Sequence, residues 1–287
     1  MLRLRYAVGN LLGTSPVTKA FRAVTGQPMS YIKVLAYHDV PYACIAQFQA
    51  HIRFLWSRYK FIDPRQPTNG GTSGGIQILL TFDDGFKSNK VAAEEVLNPL
   101  GVKAVFFVPT AAVGMDDPEE ERRFVARQIF PRSRADAIPK GLRFMDRRDL
   151  LDLLRAGHVI GSHSRAHLHL PAIQDIRELR DEVIGSGDEL EKVVEMPIEW
   201  FAFPWGNIGS IDERALRLAR SRYRYCCSAI RGSNNDLLSP ACLLRDPVDI
   251  NAPLNYLRFL VEDGLRLPYR RDALRLQQMW RAAGACQ

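Results

Sequence analysis

At 287 residues, with 46% hydrophobic and 25% charged side chains, the chain can bury a sizeable core, and its composition excludes disorder and collagen-like structure. No apolar run approaches the roughly 20 residues that a membrane-crossing helix needs. The formal charge of +7 favours anionic partners, but the arginines are scattered, without zinc-finger spacing or an RNP-like aromatic stretch, so nucleic acid is not expected as a partner.

Residues 1–30 read as a retained basic extension, because their apolar stretch is broken by Gly9, Asn10 and Gly13. A strand is expected at 32–37 and a helix at 48–59, then a strand at 76–82 and a helix at 88–97 that Pro99 should stop. A strand at 104–108 is followed by a charged, proline-containing stretch, 111–143, which reads as an excursion near the functional face. Next come a helix at 147–156, a strand at 159–162, and a helix at 175–194 whose Ile176, Leu179, Val183 and Leu190 form an apolar stripe. Strands at 200–203, 225–229 and 243–244 flank a helix at 212–221. The chain closes with a basic helix at 265–283 carrying Arg266, Arg270, Arg271, Arg275 and Arg281.

The strands are rich in Val, Ile, Leu and Phe, as parallel strands buried on both faces should be. The expected fold is therefore α/β, a distorted (β/α) barrel of about seven parallel strands, with an open doubly wound sheet as the alternative. The domain reading is 1–30 extension, 31–263 catalytic domain and 264–287 basic helix. Five cysteines, Cys44, Cys226, Cys227, Cys242 and Cys286, make an odd number without C-x-x-C spacing, so free thiols and a reducing, cytoplasmic setting are expected.

Three polar clusters fall at expected strand ends, where α/β barrels place their chemistry. In Ile78 to Gly85 an apolar strand runs into Asp83 and Asp84, one able to hold a cation and the other free to act as a base, although D-D-G is also ordinary turn chemistry. In Val159 to His169, His163 and His167 lie four apart; on a helical turn both imidazoles would face one ion. In Trp200 to Asn207 a strand ends at Pro204, Trp205 and Gly206, a turn that can wall a pocket and offer backbone N–H groups to an oxyanion.

Together these clusters resemble the polysaccharide deacetylases, the NodB-type domain of carbohydrate esterase family 4, over roughly residues 32–245. Thr81-Phe82-Asp83-Asp84-Gly85 and His163-Ser164-Arg165-Ala166-His167 match its first two motifs. The resemblance implies Asp83 as general base, Asp84, His163 and His167 as ligands of one divalent metal, and an N-acetylated glycan as substrate, in exopolysaccharide biosynthesis. Zinc is the expected ion; Co, Ni or Fe also suit one carboxylate and two imidazoles. Two features depart from the family pattern. Ala202 stands where an arginine that orients the base is usual, so that function is lost or supplied from elsewhere. No histidine follows His169 to serve as the late general acid.

The poly-N-acetylglucosamine deacetylase branch, which is permuted, is similar in carrying its acid histidine on an early strand. His38, ending Ala36-Tyr37-His38, is then the candidate acid, its alternative being a structural strand-end histidine. Trp205 and Tyr37 could stack on sugar, and His51 is expected to be uninvolved. Other readings remain: action on a lipid-linked or small sugar with the basic helix peripheral to a membrane, an inactive carbohydrate-binding domain, or hydrolysis of a non-sugar amide. The sequence leaves oligomeric state open.

Overall fold

The computed structural model describes residues 30–66, 75–237 and 241–284. The expected N-terminal extension and Cys286 lie outside them. Strand β1 (Tyr31–Tyr37) is buried end to end and pairs in parallel with β3 (Ile76–Phe82). The two-residue β2 (Lys60–Phe61) runs beside the start of β3. Around the sheet follow β4 (Ala104–Val108), β5 (Val159–Ser162), β6 (Trp200–Ala202), β7 (Tyr225–Cys227), β8 (Cys242–Leu243) and β9 (Arg245–Pro247), every ladder parallel.

The strand order is β8-β7-β6-β5-β4-β3-β1-β9, so the path ends on two strands separated only by Leu244. One extended segment therefore bridges β7 to β1 and brings the barrel nearly to closure. Asn234 staples this seam. Its backbone exchanges hydrogen bonds with Ile32, and its side-chain amide pairs with both the N–H and the carbonyl of Leu244 at 2.9 Å. The sheet is thus the barrel expected, with eight strands around the ring, and not the open doubly wound alternative.

Side-chain alternation divides the apolar residues into two layers. Ile32, Val34, Leu79, Val105, Phe107, Trp200, Ala202, Tyr225, Cys227 and Leu243 fill the interior, while Leu35, Leu80, Phe82, Phe106 and Cys226 pack outward against helices. Gly161 on β5 makes room inside: a Cβ there would meet the Phe107 ring at 2.6 Å.

Helix α1 (Ile45–Trp56) covers β1. Helix α2 (Lys87–Ala92) continues through a π turn at Ala93–Leu97 and a 3-10 turn at Asn98–Leu100, ending at the left-handed Gly101. Pro99 does not stop it, because proline is tolerated in a first turn, where its missing N–H has no partner to lose. The excursion folds into α3 (Pro118–Phe124) and short turns over a small core of its own, with Phe86, Val125, Ile129 and Phe144. It docks on Phe86, two residues past Asp84.

Helix α4 (Arg147–Arg155) starts from an Asp146–Asp149 capping box. The expected helix at 175–194 is α5 (Ile176–Arg180), a π turn, and α6 (Ser186–Val194). Helix α7 (Glu213–Arg222) is capped by Asp212. Helix α8 (Leu254–Val261), unforeseen in the sequence, precedes the basic α9 (Arg266–Gly284), which packs Leu276, Trp280 and Ala283 inward. Among the described residues no helix is long and apolar enough to cross a membrane, and Cys44, Cys226, Cys227 and Cys242 are free thiols.

Candidate active site

Four strands deliver the candidate residues by the same rule: each side chain lies just past the C-terminal end of a parallel strand. His38 follows β1, Asp83 and Asp84 follow β3, His163 follows β5, and Pro204 and Trp205 follow β6. Asp83 continues the inward set Leu79, Thr81, Asp83, whereas the chain turns left-handed at Asp84 (φ 70°) and Gly85 (φ 69°). Gly85 is required twice over, since a Cβ there would also meet Val108 Cγ1 at 2.9 Å.

Asp84, His163 and His167 are all buried, and one ligand atom from each lies within 4.8 Å of the others. The Asp84 Oδ1 is 3.6 Å from the Nε2 of both histidines. On the far side of each ring, Nδ1 meets a backbone carbonyl at 2.8 Å: Ala202 for His163 and Gln128, from the excursion, for His167. Those carbonyls fix the tautomer with the proton on Nδ1, leaving both Nε2 lone pairs facing Asp84. Burial, with His163 alongside, pushes His167 down to about 4, so it is neutral near pH 7, the form that ligates metal.

The expected helical turn between the two histidines is absent. Ser164 (φ 63°) and His167 (φ 55°) are both left-handed. The Ser164 Oγ accepts the His167 N–H at 3.0 Å, and the buried Glu182 carboxylate accepts the Ala166 N–H. The rings converge because side chains hold a strained loop. Of the six non-glycine residues at positive φ among those described, Asp84, Ser164, His167 and Trp205 cluster here, as strain does at functional sites.

A divalent ion fits this arrangement on an observation independent of motif. Asp84 Oδ2 is buried without a hydrogen-bond partner. An orphaned carboxylate oxygen costs desolvation energy unless a cation takes it. The donor set, one carboxylate and two imidazoles, suits a borderline metal such as zinc.

Beside it, Asp83 is gripped by Arg245. Nη1 and Nη2 donate to the two carboxylate oxygens at 2.7 and 2.8 Å, Nη1 reaches Thr81 Oγ1 at 3.1 Å, and Nε donates to the Ser228 carbonyl at 2.7 Å. Burial alone would raise the Asp83 carboxyl, but the Arg245 guanidinium, with His163 and His38, outweighs it and holds Asp83 well below the usual carboxylate range. Arg245 comes from β9 and rests 5.1 Å above the Phe107 ring. It supplies, from a strand two places along the ring from β3, the arginine absent at Ala202. The sequence signal was faint: an arginine directly after an expected strand, one register step from an inward leucine.

The His38 side chain is 44% exposed, with Nε2 4.0 Å from Asp83 Oδ2, so it stands at the mouth of the site. The Trp205 ring packs 4.7 Å from His167 and 5.6 Å from His169, and the Trp205 N–H has no acceptor among the described residues. The Gly206 N–H instead donates to the Pro204 carbonyl at 2.6 Å. A Cβ at Gly206 would strike Ala229 N at 2.4 Å, so glycine there serves close packing of this turn on the chain just past β7. Tyr37 does not reach the site. As the last outward residue of β1 it is buried among Phe48, Phe82 and His51. His51 and His158 are likewise buried and hydrogen-bonded away from the site, His51 to Tyr37 and the Ala252 carbonyl, His158 to Asn98 and the Ala104 N–H.

The family model for polysaccharide deacetylase matches residues 70–223, just over half of the chain. The chain belongs to the polysaccharide deacetylase family. That stretch holds the Asp-Asp, His-x-x-x-His and Pro-Trp-Gly segments, while His38 and Arg245 lie outside it. No curated protein sequence matches the chain. Similar solved structures include IcaB from Ammonifex degensii, at 17% identity, TM-score 0.63, covering 81% of this chain and 97% of that one. A de-N-acetylase from Aggregatibacter actinomycetemcomitans gives 16% identity and TM-score 0.62, covering 80% and 99%. The Streptococcus pyogenes deacetylase PplD in complex with acetate gives 19% identity and TM-score 0.60, covering 80% and 97%. At these identities the likeness establishes the deacetylase barrel, with helices outside a ring of parallel strands.

Proposed function

We propose that this polysaccharide deacetylase family member is a metal-dependent hydrolase that removes N-acetyl groups from amino sugars of a glycan. The single observation behind this reading is the buried Asp84–His163–His167 triad, one carboxylate oxygen unpartnered, beside a buried Asp83 held ionised by Arg245 beneath His38. An ion bound there, zinc by preference, would polarise the amide carbonyl and lower the pKa of water.

The chain's own groups account for the proton traffic. Asp83 takes a proton from the attacking water as its oxygen bonds to the carbonyl carbon, general-base help that contributes roughly 10² to 10⁴-fold. Arg245 keeps that carboxylate oriented through both oxygens. The Trp205 backbone N–H, which meets no acceptor among the described residues, is the donor we assign to the oxyanion. Protonated His38 gives its proton to the nitrogen as the C–N bond breaks, and acetate and a free amine leave. Arg245 also removes one argument for an inactive binding domain, since the arginine missing at Ala202 is replaced.

The test is amine release from N-acetylglucosamine oligomers by metal-stripped and by Zn²⁺- or Co²⁺-reloaded protein, with Asp83→Asn and His38→Ala alongside. Metal-dependent release lost in Asp83→Asn and sharply reduced in His38→Ala supports the reading. Release that survives His38→Ala rejects that acid.

A second reading, action on a precursor at a cytoplasmic membrane surface, is favoured by a separate groove between α9 and the seam. Arg231, Arg266, Arg270 and Arg281 line it against a single carboxylate, Asp236, so its lining is net basic. Co-sedimentation with phosphatidylglycerol vesicles, weakened in Arg266→Gln/Arg270→Gln, is the expected outcome.

A further inference from the structure

Next to the catalytic end lies a second concavity of about 440 Å³, within the size range of small-molecule sites. Three segments wall it: the chain just after His38 (Asp39, Tyr42), the first turns of α2 (Ser88, Val91), and the end of the excursion (Leu142, Arg143). All three also frame the catalytic residues. Asp39 follows the candidate acid directly, and α2 starts three residues after Asp84.

The walls are tied together, because Ser88 Oγ donates to Asp39 Oδ1 at 2.6 Å. Arg143, at the opposite rim, is held by the buried Glu121. The remaining lining is largely apolar. Tyr42 is the anomaly: 78% exposed, the most exposed of the large apolar side chains described, and its ring makes no hydrogen bond or aromatic contact among the described residues. An aromatic face held out over a groove with hydroxyl-bearing and charged rims matches the two surfaces of a pyranose ring, apolar C–H faces and polar edges.

We propose that this groove is a binding subsite for a sugar ring adjoining the one that is deacetylated, with Tyr42 as its stacking platform and Asp39, Ser88 and Arg143 meeting its hydroxyl or acylamino edge. The proposal rests on the deacetylase reading for the identity of the glycan. Its groove, however, is separate from the triad. It makes the enzyme sensitive to chain length: an oligomer that reaches Tyr42 binds better than one ring alone.

The experiment is calorimetric binding of N-acetylglucosamine and its pentamer in the Asp83→Asn background, with Tyr42 intact or changed to Ala or Trp, and kcat/KM for the same sugars with Asp83 restored. Tyr42→Ala should lower the pentamer-to-monomer affinity ratio by about two- to tenfold, and Tyr42→Trp should restore it. Because Tyr42 is exposed, the substitution spares the core. An unchanged ratio, a tryptophan that does not rescue, or no glycan binding by any form overturns the subsite. If no form releases amine, the deacetylase reading fails on its own. Length-dependent binding that still responds to Tyr42 then upholds the groove.

Discussion

Arg245 and Asp246 are neighbours on β9, yet they belong to two buried charge networks on opposite faces of the barrel wall. Inward, Arg245 clamps Asp83 through both oxygens beneath the exposed His38. Outward, Asp246 takes Lys33 Nζ at 2.5 Å, and the same nitrogen donates to Asp263 at 2.8 Å and to the Gly232 carbonyl at 3.0 Å. Those three bonds use every proton of the ammonium. Ser233 and Arg231 cap the remaining carboxylate oxygens. The outer network is closed on itself and pins β1, β9 and the α8–α9 corner together. The inner one stops at a site that opens to solvent. Similar ion-pair chemistry is thus structural where every group is spent and available for reaction where one face is left open.

The contrast is sharpest in what each network should lose. Lys33→Met strands two buried carboxylates, and the expected cost is about 3–5 kcal/mol of unfolding free energy. Turnover per folded molecule should stay near wild type, read by denaturant melts beside amine release. A large fall in kcat with stability intact would merge the two networks into one.

Arg245→Lys keeps the inner charge but loses the fork, so kcat/KM should fall roughly 10- to 100-fold with a smaller stability loss than at Lys33. An unchanged rate would mean that Asp83 does not depend on its clamp.

Neither network should set the pH response near neutrality. Lys33 is raised by Asp246 and Asp263 against the pull of burial, so its contribution is intact below its ordinary value and lost only well into alkali. Asp83 is depressed, so its contribution is lost only in strong acid. His158 is different: burial lowers it to about 4, and the unfolded chain binds a proton that the fold refuses between about 6.5 and 4. Stability should therefore decline as pH falls through that window, by at most about 3 kcal/mol from this group, and His158→Gln should remove its share while that of the similarly depressed His167 remains.

The smallest expected effect is at the seam. Asn234→Ala removes both amide bonds to Leu244, for about 1–3 kcal/mol of destabilisation and little change in turnover.

The sequence carried the strand ends well, because parallel strands buried on both faces leave unbroken apolar runs, and Asp83, Asp84 and His163 sit at their edges. The pairing between β3 and β9, with β1 between them, was not legible. Arg245 lies 162 residues from Asp83 and is one of many arginines, and Asn234 acts mainly through amide and backbone groups that leave no pattern. Gln128 contributes only a carbonyl, which any residue could offer. His163 and His167 were found by their spacing, but for a reason that did not hold, since a left-handed loop and not a helical turn brings them together. Tyr37 misled because strand-end aromatics face either way, and register turned this one toward α1.

The most direct test of the central claim is metal stoichiometry tied to activity. Metal-stripped protein is titrated with Co²⁺, followed by visible absorption and by amine release, for wild type and for Asp84→Asn. One tightly held equivalent in the wild type, restored release in step with it, and loss of both in Asp84→Asn is the predicted result. Amine release that persists without metal, or a wild type that holds no stoichiometric ion, would contradict it.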